Sequence, residues 1–148
     1  MDIAEQRSKI THIVEDEDTQ EVIHVAEFRA SLRSFLRLSE RVARESGLTP
    51  QRHLLLLMIK GAPDGSGRST VTELSERLQL AQSTVTELVR RAEEAGLIER
   101  ERSQVDGRVA FLSLTDEGER RLERTHTSLS EERRRLRQAF AHLDAVGE

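Results

Sequence analysis

The most regular feature of the chain is a stripe of apolar residues in its first third. Val22, Val25, Phe28, Leu32, Phe35, Leu36, Leu38 and Val42 recur at three- and four-residue spacing, which sets them on one face of a helix. The spacing predicts a helix of about 26 residues, roughly 39 Å long at the standard rise, that closes at Gly47. Residues 1–20 carry no clear period and read as an N-terminal arm, either mobile or briefly helical. The acidic run Glu15-Asp16-Glu17-Asp18 falls just before the stripe, where negative charge favours a helix N-terminus. So long a helix carries more apolar surface than a small core covers, and a partner subunit is the expected cover.

Thr49-Pro50 opens a second helix, with Thr49 as N-cap and Pro50 in the first helical position. Leu54, Leu55, Leu57, Met58 and Ile59 make it apolar on most sides, as a core helix would be. Gly61-Ala62-Pro63-Asp64-Gly65-Ser66-Gly67 is turn chemistry throughout, and no Gly-Lys-Ser/Thr follows to make a phosphate loop. Thr70 to Leu78 reads as a third, short helix, capped by Thr70 with Glu73 or by Thr72 with Ser75. Val71 belongs either to it or to a short strand. After Gln79-Leu80-Ala81 comes a fourth helix, about Gln82 to Ala95, with Val85, Leu88, Val89 and Ala92 inward and Gly96 as its stop. Two short helices so joined propose a helix-turn-helix.

A hairpin follows at once. Leu97 to Arg102 leads to the turn Ser103-Gln104-Val105-Asp106-Gly107, and residues 109–114 return with Ala110, Leu112 and Leu114 on one face. Thr115-Asp116-Glu117 then caps a last helix bearing Leu122, Leu129, Leu136, Phe140 and Leu143, with a break or bend marked by Ser128 and Ser130. The fold class is mainly α with a small β-wing. A winged helix-turn-helix spans residues 48–115, and residues 21–47 and 116–148 form a helical dimerisation region.

Composition narrows the chemistry. Of 148 residues, 36% are hydrophobic and 34% charged, enough for one modest core that often completes its burial by oligomerising. The absence of cysteine removes disulfides, thiolate metal sites and cysteine redox sensing together. The longest apolar run, Leu54 to Ile59, is far short of the ~20 residues of a membrane span, and no signal peptide is evident. A soluble cytoplasmic protein is expected. His12, His24, His53, His126 and His142 lack metal-ligand spacing, and neither a metal nor another cofactor is expected. No nucleophile elbow or paired metal ligands argue for an enzyme. The net charge of -4 is awkward for a nucleic-acid binder. Residues 50–115, however, balance nine Lys/Arg against nine Asp/Glu, so any phosphate contact rests on local arginines.

Order and residues together resemble the MarR family of regulators. The run from Val85-Thr86-Glu87 through Arg90-Arg91 to Gly96-Leu97-Ile98-Glu99-Arg100 looks like that family's recognition helix and first wing strand. Asp106-x-Arg108 followed by Leu114-Thr115-x-x-Gly118 is similar to its most recognisable signature, and Leu48-Thr49-Pro50-Gln51 to the start of its second helix. The likeness runs from about residue 22 to the C-terminus. One departure is Ala81, where the family often has a small polar residue; Gln82 or Ser83 is then expected to share the capping.

The resemblance implies a homodimer that binds double-stranded DNA as a transcriptional regulator, more often a repressor. The recognition helix would present Gln82, Ser83, Thr84 and Thr86 to base edges in the major groove, with Arg90 and Arg91 on phosphates. Glu87 reads better as an ion-pair partner of Arg91 than as a base contact. Arg108 would enter the minor groove, and Asp106 would orient the wing. Arg100 and Arg102 are phosphate candidates, or equally solvated strand residues beside Glu99 and Glu101. A small aromatic or phenolic effector is also implied. Phe28, Phe35, His53 and Met58 would line its pocket between the dimerisation helices and the reading head, although ordinary core suits all four. A winged helix used for protein contact is the rival reading.

Overall fold

The structure, a computed structural model, describes residues 2–146; the side chains of residues 10–15, His12 and Glu15 among them, and of residues 144–146 lie outside the description. The chain divides into two compact units, Met1–Leu38 with Ser130–Glu148 and Ser39–Leu129. Among the described residues no helix is long and apolar enough to cross a membrane.

The first unit is helical. It holds most of α1 (Ile3–Glu45) and the whole of α6 (Ser130–Val146). Helix α1 begins far earlier than the apolar stripe does, so residues 3–20 are its first turns and no separate arm precedes the stripe. The acidic run therefore lies inside the helix and not at its N-terminus. The physical reason is local: neither glycine nor proline occurs before Gly47, and Ala, Glu, Gln, Lys and Arg sustain a helix without an apolar period. Phe28 and Phe140 meet edge to face with ring centroids 5.4 Å apart. Three of the eight stripe residues, Val22, Val25 and Leu36, stay in the open within the single chain, as do Ile23 and Phe140 outside it. Val22 is 67% exposed, Leu36 48% and Phe140 56%.

The second unit is the winged one. In order it contains the end of α1, α2 (Pro50–Lys60), β1 (Arg68–Ser69), α3 (Val71–Leu78), α4 (Gln82–Glu94), β2 (Ile98–Arg102), β3 (Ala110–Leu114) and α5 (Asp116–Ser128). Its core joins Leu55, Leu56 and Ile59 of α2 to Leu74 of α3, Val85, Val89 and Ala92 of α4, and Leu97, Leu112 and Leu122. Thr49 caps α2 by accepting the Arg52 amide at 3.2 Å, with Pro50 next. Thr70 and Glu73 form the capping box of α3, so Val71 is its first residue and not a strand residue.

The sheet is antiparallel with order β1-β3-β2. Ile98 pairs with Leu114 and Arg102 with Ala110, which sends Leu112 and Leu114 into the core as the alternation predicts. Strand β1 is an addition to the sequence reading: Arg68 pairs with Ser113 and Ser69 with Leu112. Two polar residues have no period to detect. The chain breaks between α5 and α6 at Leu129, between the two serines that mark it, with Leu129 buried.

Candidate nucleic-acid interface

Helix α4 is set by a tight turn. Gln79 adopts a left-handed backbone (φ 56°), and its amide donates to the Ser75 carbonyl. The Ser75 hydroxyl in turn donates to the Leu80 carbonyl at 2.6 Å. Val85, Leu88, Val89 and Ala92 anchor the inner face of α4. The first-turn residues Gln82, Ser83 and Thr84, and Thr86 after them, are all exposed. Ala81 is the N-cap and no side chain caps the helix, so neither Gln82 nor Ser83 takes over that role. Gln82 instead directs its amide nitrogen to Thr72 Oγ1 at 3.4 Å, a long contact that a better acceptor would displace. The uncapped amides of the first turn leave the entrance of the helix open to an acceptor or an anion.

Further along, the guanidinium groups are paired. Glu87 accepts from Arg90 Nη2 at 2.6 Å and from Arg91 Nε at 3.0 Å, and Glu94 takes Arg90 Nη1. The expected ion-pair role of Glu87 is what the geometry displays. The Arg90 hydrogen bond, with Arg91 beside it, holds the Glu87 carboxyl down at about 2. Arg100 pairs with Glu93 at 2.8 Å and not with its strand neighbours.

The wing is built by hydrogen bonds across its tip. The Ser103 amide donates to Val109 O at 2.9 Å, and the Val109 amide to Asp106 O at 3.0 Å. Asp106 Oδ1 accepts the Arg108 amide at 3.0 Å, an Asx-turn. Arg102 turns back to donate to Gly107 O at 2.9 Å, so its guanidinium braces the tip. Arg108 is exposed and, among the described residues, its guanidinium has no ion-pair partner. Val105 beside it is 99% exposed.

The base of the wing is locked to the helices. The Thr115 hydroxyl donates to Gly96 O at 2.6 Å, its amide donates to Leu97 O at 3.0 Å, and its Oγ1 accepts the Gly118 amide at 3.1 Å. One residue thus caps α5 and ties it to the turn that ends α4.

Two contributors escaped the sequence reading. Gln51, in the first turn of α2, shares a shallow groove with Ser83, Thr84, Glu87 and Arg91 of α4; only tertiary packing brings them together. Arg68 lies over the Phe111 ring at 4.7 Å and near Glu101 at 4.0 Å, on the strand that had no period. The residues expected at an effector pocket divide between the units. Phe28 pairs with Phe140, and Phe35 lines a groove with Ser31, Ser34, Glu132 and Arg135 in the helical unit. In the winged unit His53 is buried, its imidazole held below the usual value by desolvation, and Met58 packs against the core.

A helix-turn-helix followed by a two-stranded wing, its recognition helix exposed on one face, defines a winged-helix protein. A model of the MarR family matches residues 46–109. The uncharacterized HTH-type transcriptional regulator YsmB of Bacillus subtilis (strain 168) is 31% identical over 121 residues, covering 79% of this chain and 80% of YsmB. The chain belongs to the MarR family of HTH-type transcriptional regulators. The fold agrees with two crystal structures. One is a MarR family transcription regulator (TM-score 0.71, 21% identity, 91% of this chain and 87% of that one). The other is a mutant MarR from E. coli complexed with operator DNA (TM-score 0.62, 17% identity, 99% and 96%).

Proposed function

We propose that the chain acts in the cytoplasm as a homodimeric, sequence-specific DNA-binding repressor, with α4 in the major groove and the wing in the minor groove. The observation that carries this reading is the pairing of two exposed features on one unit. An uncapped helix start offers Gln82, Ser83, Thr84 and Thr86, and a braced hairpin tip offers the Arg108 guanidinium, without an ion pair among the described residues. Amide and hydroxyl side chains read base edges, whereas an arginine suits the narrow, negative minor groove. Arg90, Arg91 and Arg100 are the phosphate contacts of this reading, with Arg102 and Asp106 fixing the wing. That a MarR mutant was crystallised with operator DNA supports the same assignment.

The exposed apolar residues Val22, Ile23, Val25 and Leu36 of α1, with Phe140 of α6, support a dimer, since a second copy would cover them. A two-fold dimer calls for a pseudo-palindromic site with half-sites about one helical turn, ~10 bp, apart. Release by a small aromatic or phenolic effector belongs to the same proposal. A groove of the winged unit lined by Leu57, Gly61, Leu122 and His126 supports it with an apolar floor, rimmed by Glu123 and by the Lys60–Glu119 ion pair.

Selection of duplexes from a random pool tests the reading. The expected product is an inverted repeat, bound less tightly as salt rises. A chain that retains no duplex even at low salt would be a winged helix that serves protein contact instead.

A further inference from the structure

Arg90 and Arg91 stand where phosphate contacts are proposed, yet both are already engaged. The Glu87 carboxylate receives Arg90 Nε at 2.9 Å and Nη2 at 2.6 Å, together with Arg91 Nε at 3.0 Å. Glu94 takes Arg90 Nη1 as well. These side chains are all substantially exposed, Glu87 at 46% and the two arginines at 54% and 60%. One carboxylate therefore sits between two guanidinium groups midway along the recognition helix, a turn beyond Gln82, Ser83 and Thr84. The same device recurs nearby, where Glu93 holds Arg100 at 2.8 Å. These two clusters take up three of the nine basic and three of the nine acidic residues over 50–115.

A phosphate that takes Arg90 meets a guanidinium whose three nitrogens all donate to carboxylates, and one that takes Arg91 through Nε displaces Glu87. On a duplex gripped through its backbone alone, one anion is exchanged for another, and the freed carboxylate is left beside a polyanion. Such an encounter gains little. On a duplex matched to the first turn of α4, the released Glu87 carboxylate can itself accept from a base amino group, so the exchange is offset there and not on a duplex gripped by its backbone. We propose that Glu87 is a specificity-determining positioning residue, which keeps Arg90 and Arg91 from indiscriminate phosphate binding and yields them to a duplex already matched by the helix start. This inference rests on the DNA-binding reading above.

The test compares two probes by fluorescence anisotropy across a salt series: a mixed-sequence duplex, and a duplex selected from random sequence by the wild-type chain. Glu87→Gln is expected to bind the mixed-sequence duplex about fivefold more tightly. Its log–log salt slope should steepen by about one, because no carboxylate has to regain a counterion. Affinity for the selected duplex should change much less, so the ratio between probes falls. Glu87→Asp keeps the charge but is too short to span both guanidinium groups, and the same fall in ratio is expected. Glu99→Gln removes a charge from an exposed glutamate of β2 that has no ion pair among the described residues; it should leave the ratio near the wild-type value. The proposal is overturned if Glu87→Gln keeps the wild-type ratio and slope, or if Glu99→Gln shifts both equally. A wild-type chain that retains neither duplex at low salt would overturn the DNA-binding reading itself.

Discussion

A Cβ placed on Gly118 would lie 2.1 Å from the carbonyl oxygen of Leu97. The first turn of α5 thus rests directly on the backbone where α4 gives way to β2, and only glycine lets the two approach so closely. Gly118→Ala should force that junction apart and cost about 1–3 kcal/mol in urea unfolding. Gly107, at the wing tip, would place its Cβ in open space, so Gly107→Ala should stay within about 0.5 kcal/mol of wild type. Equal effects at the two glycines would contradict this assignment.

Thr115 makes the same junction from the side chain. Its hydroxyl accepts the Gly118 amide and donates to the Gly96 carbonyl at 2.6 Å. Thr115→Val keeps the shape and removes both bonds, and it should lower stability by about 1–2 kcal/mol. Thr115→Ser retains the hydroxyl and should recover most of that loss in the same unfolding measurement.

At the wing, Asp106 Oδ1 accepts the Arg108 amide, and on the proposed reading this acceptor, rather than the charge, orients the tip. Asp106→Asn should therefore keep duplex affinity, because an amide oxygen can accept the Arg108 amide equally well. Asp106→Ala loses the Asx-turn and should bind more weakly. Arg108→Ala should weaken binding on every duplex and lower the magnitude of the salt slope by about one, with the melting temperature unchanged. Anisotropy titrations at several salt concentrations separate the three variants.

Burial holds the His53 imidazole below its usual 6.5, so the folded chain prefers the neutral ring. An unfolded histidine takes up its proton first as the pH drops. The stability tied to His53 is therefore complete above about pH 6.5 and is lost as pH falls through the lower folded value. Melting temperatures measured between about pH 7.5 and pH 5 should fall more for wild type than for His53→Gln. Parallel declines would show that other groups govern the acid limb.

Much of this molecule was legible in its residues, wherever a period or a cap carried the signal. Val85, Leu88, Val89 and Ala92 marked the inner face of α4, and Leu112 and Leu114 the inner face of β3. Thr49 and Thr115 announced two helix starts, and Thr70 was one of two candidates for a third. What escaped had no such signature. The first turns of α1 form without an apolar stripe, and Arg68–Ser69 is too short to alternate. The wing fared differently again. Asp106-x-Arg108 identified its tip, but the turn of Arg102 onto Gly107 O depends on a local geometry that spacing does not express. Pairing of Arg100 with Glu93 likewise depends on side-chain directions across two elements, whereas Arg90 with Glu94 follows the same four-residue spacing as Glu87 with Arg91; arginines first read as phosphate ligands prove to be already partnered.

The proposed division of labour gives sequence reading to the start of α4 and affinity to the wing. Its most direct test is the binding of Gln82→Ala and Arg108→Ala to the selected duplex and to all its single-base-pair variants. Gln82→Ala should abolish discrimination at one position in each half-site, worth about 1–3 kcal/mol there, while Arg108→Ala should weaken alike every duplex whose change lies outside the minor groove met by the wing. Two variants that both bind as wild type does, at every position and at physiological salt, would contradict this division.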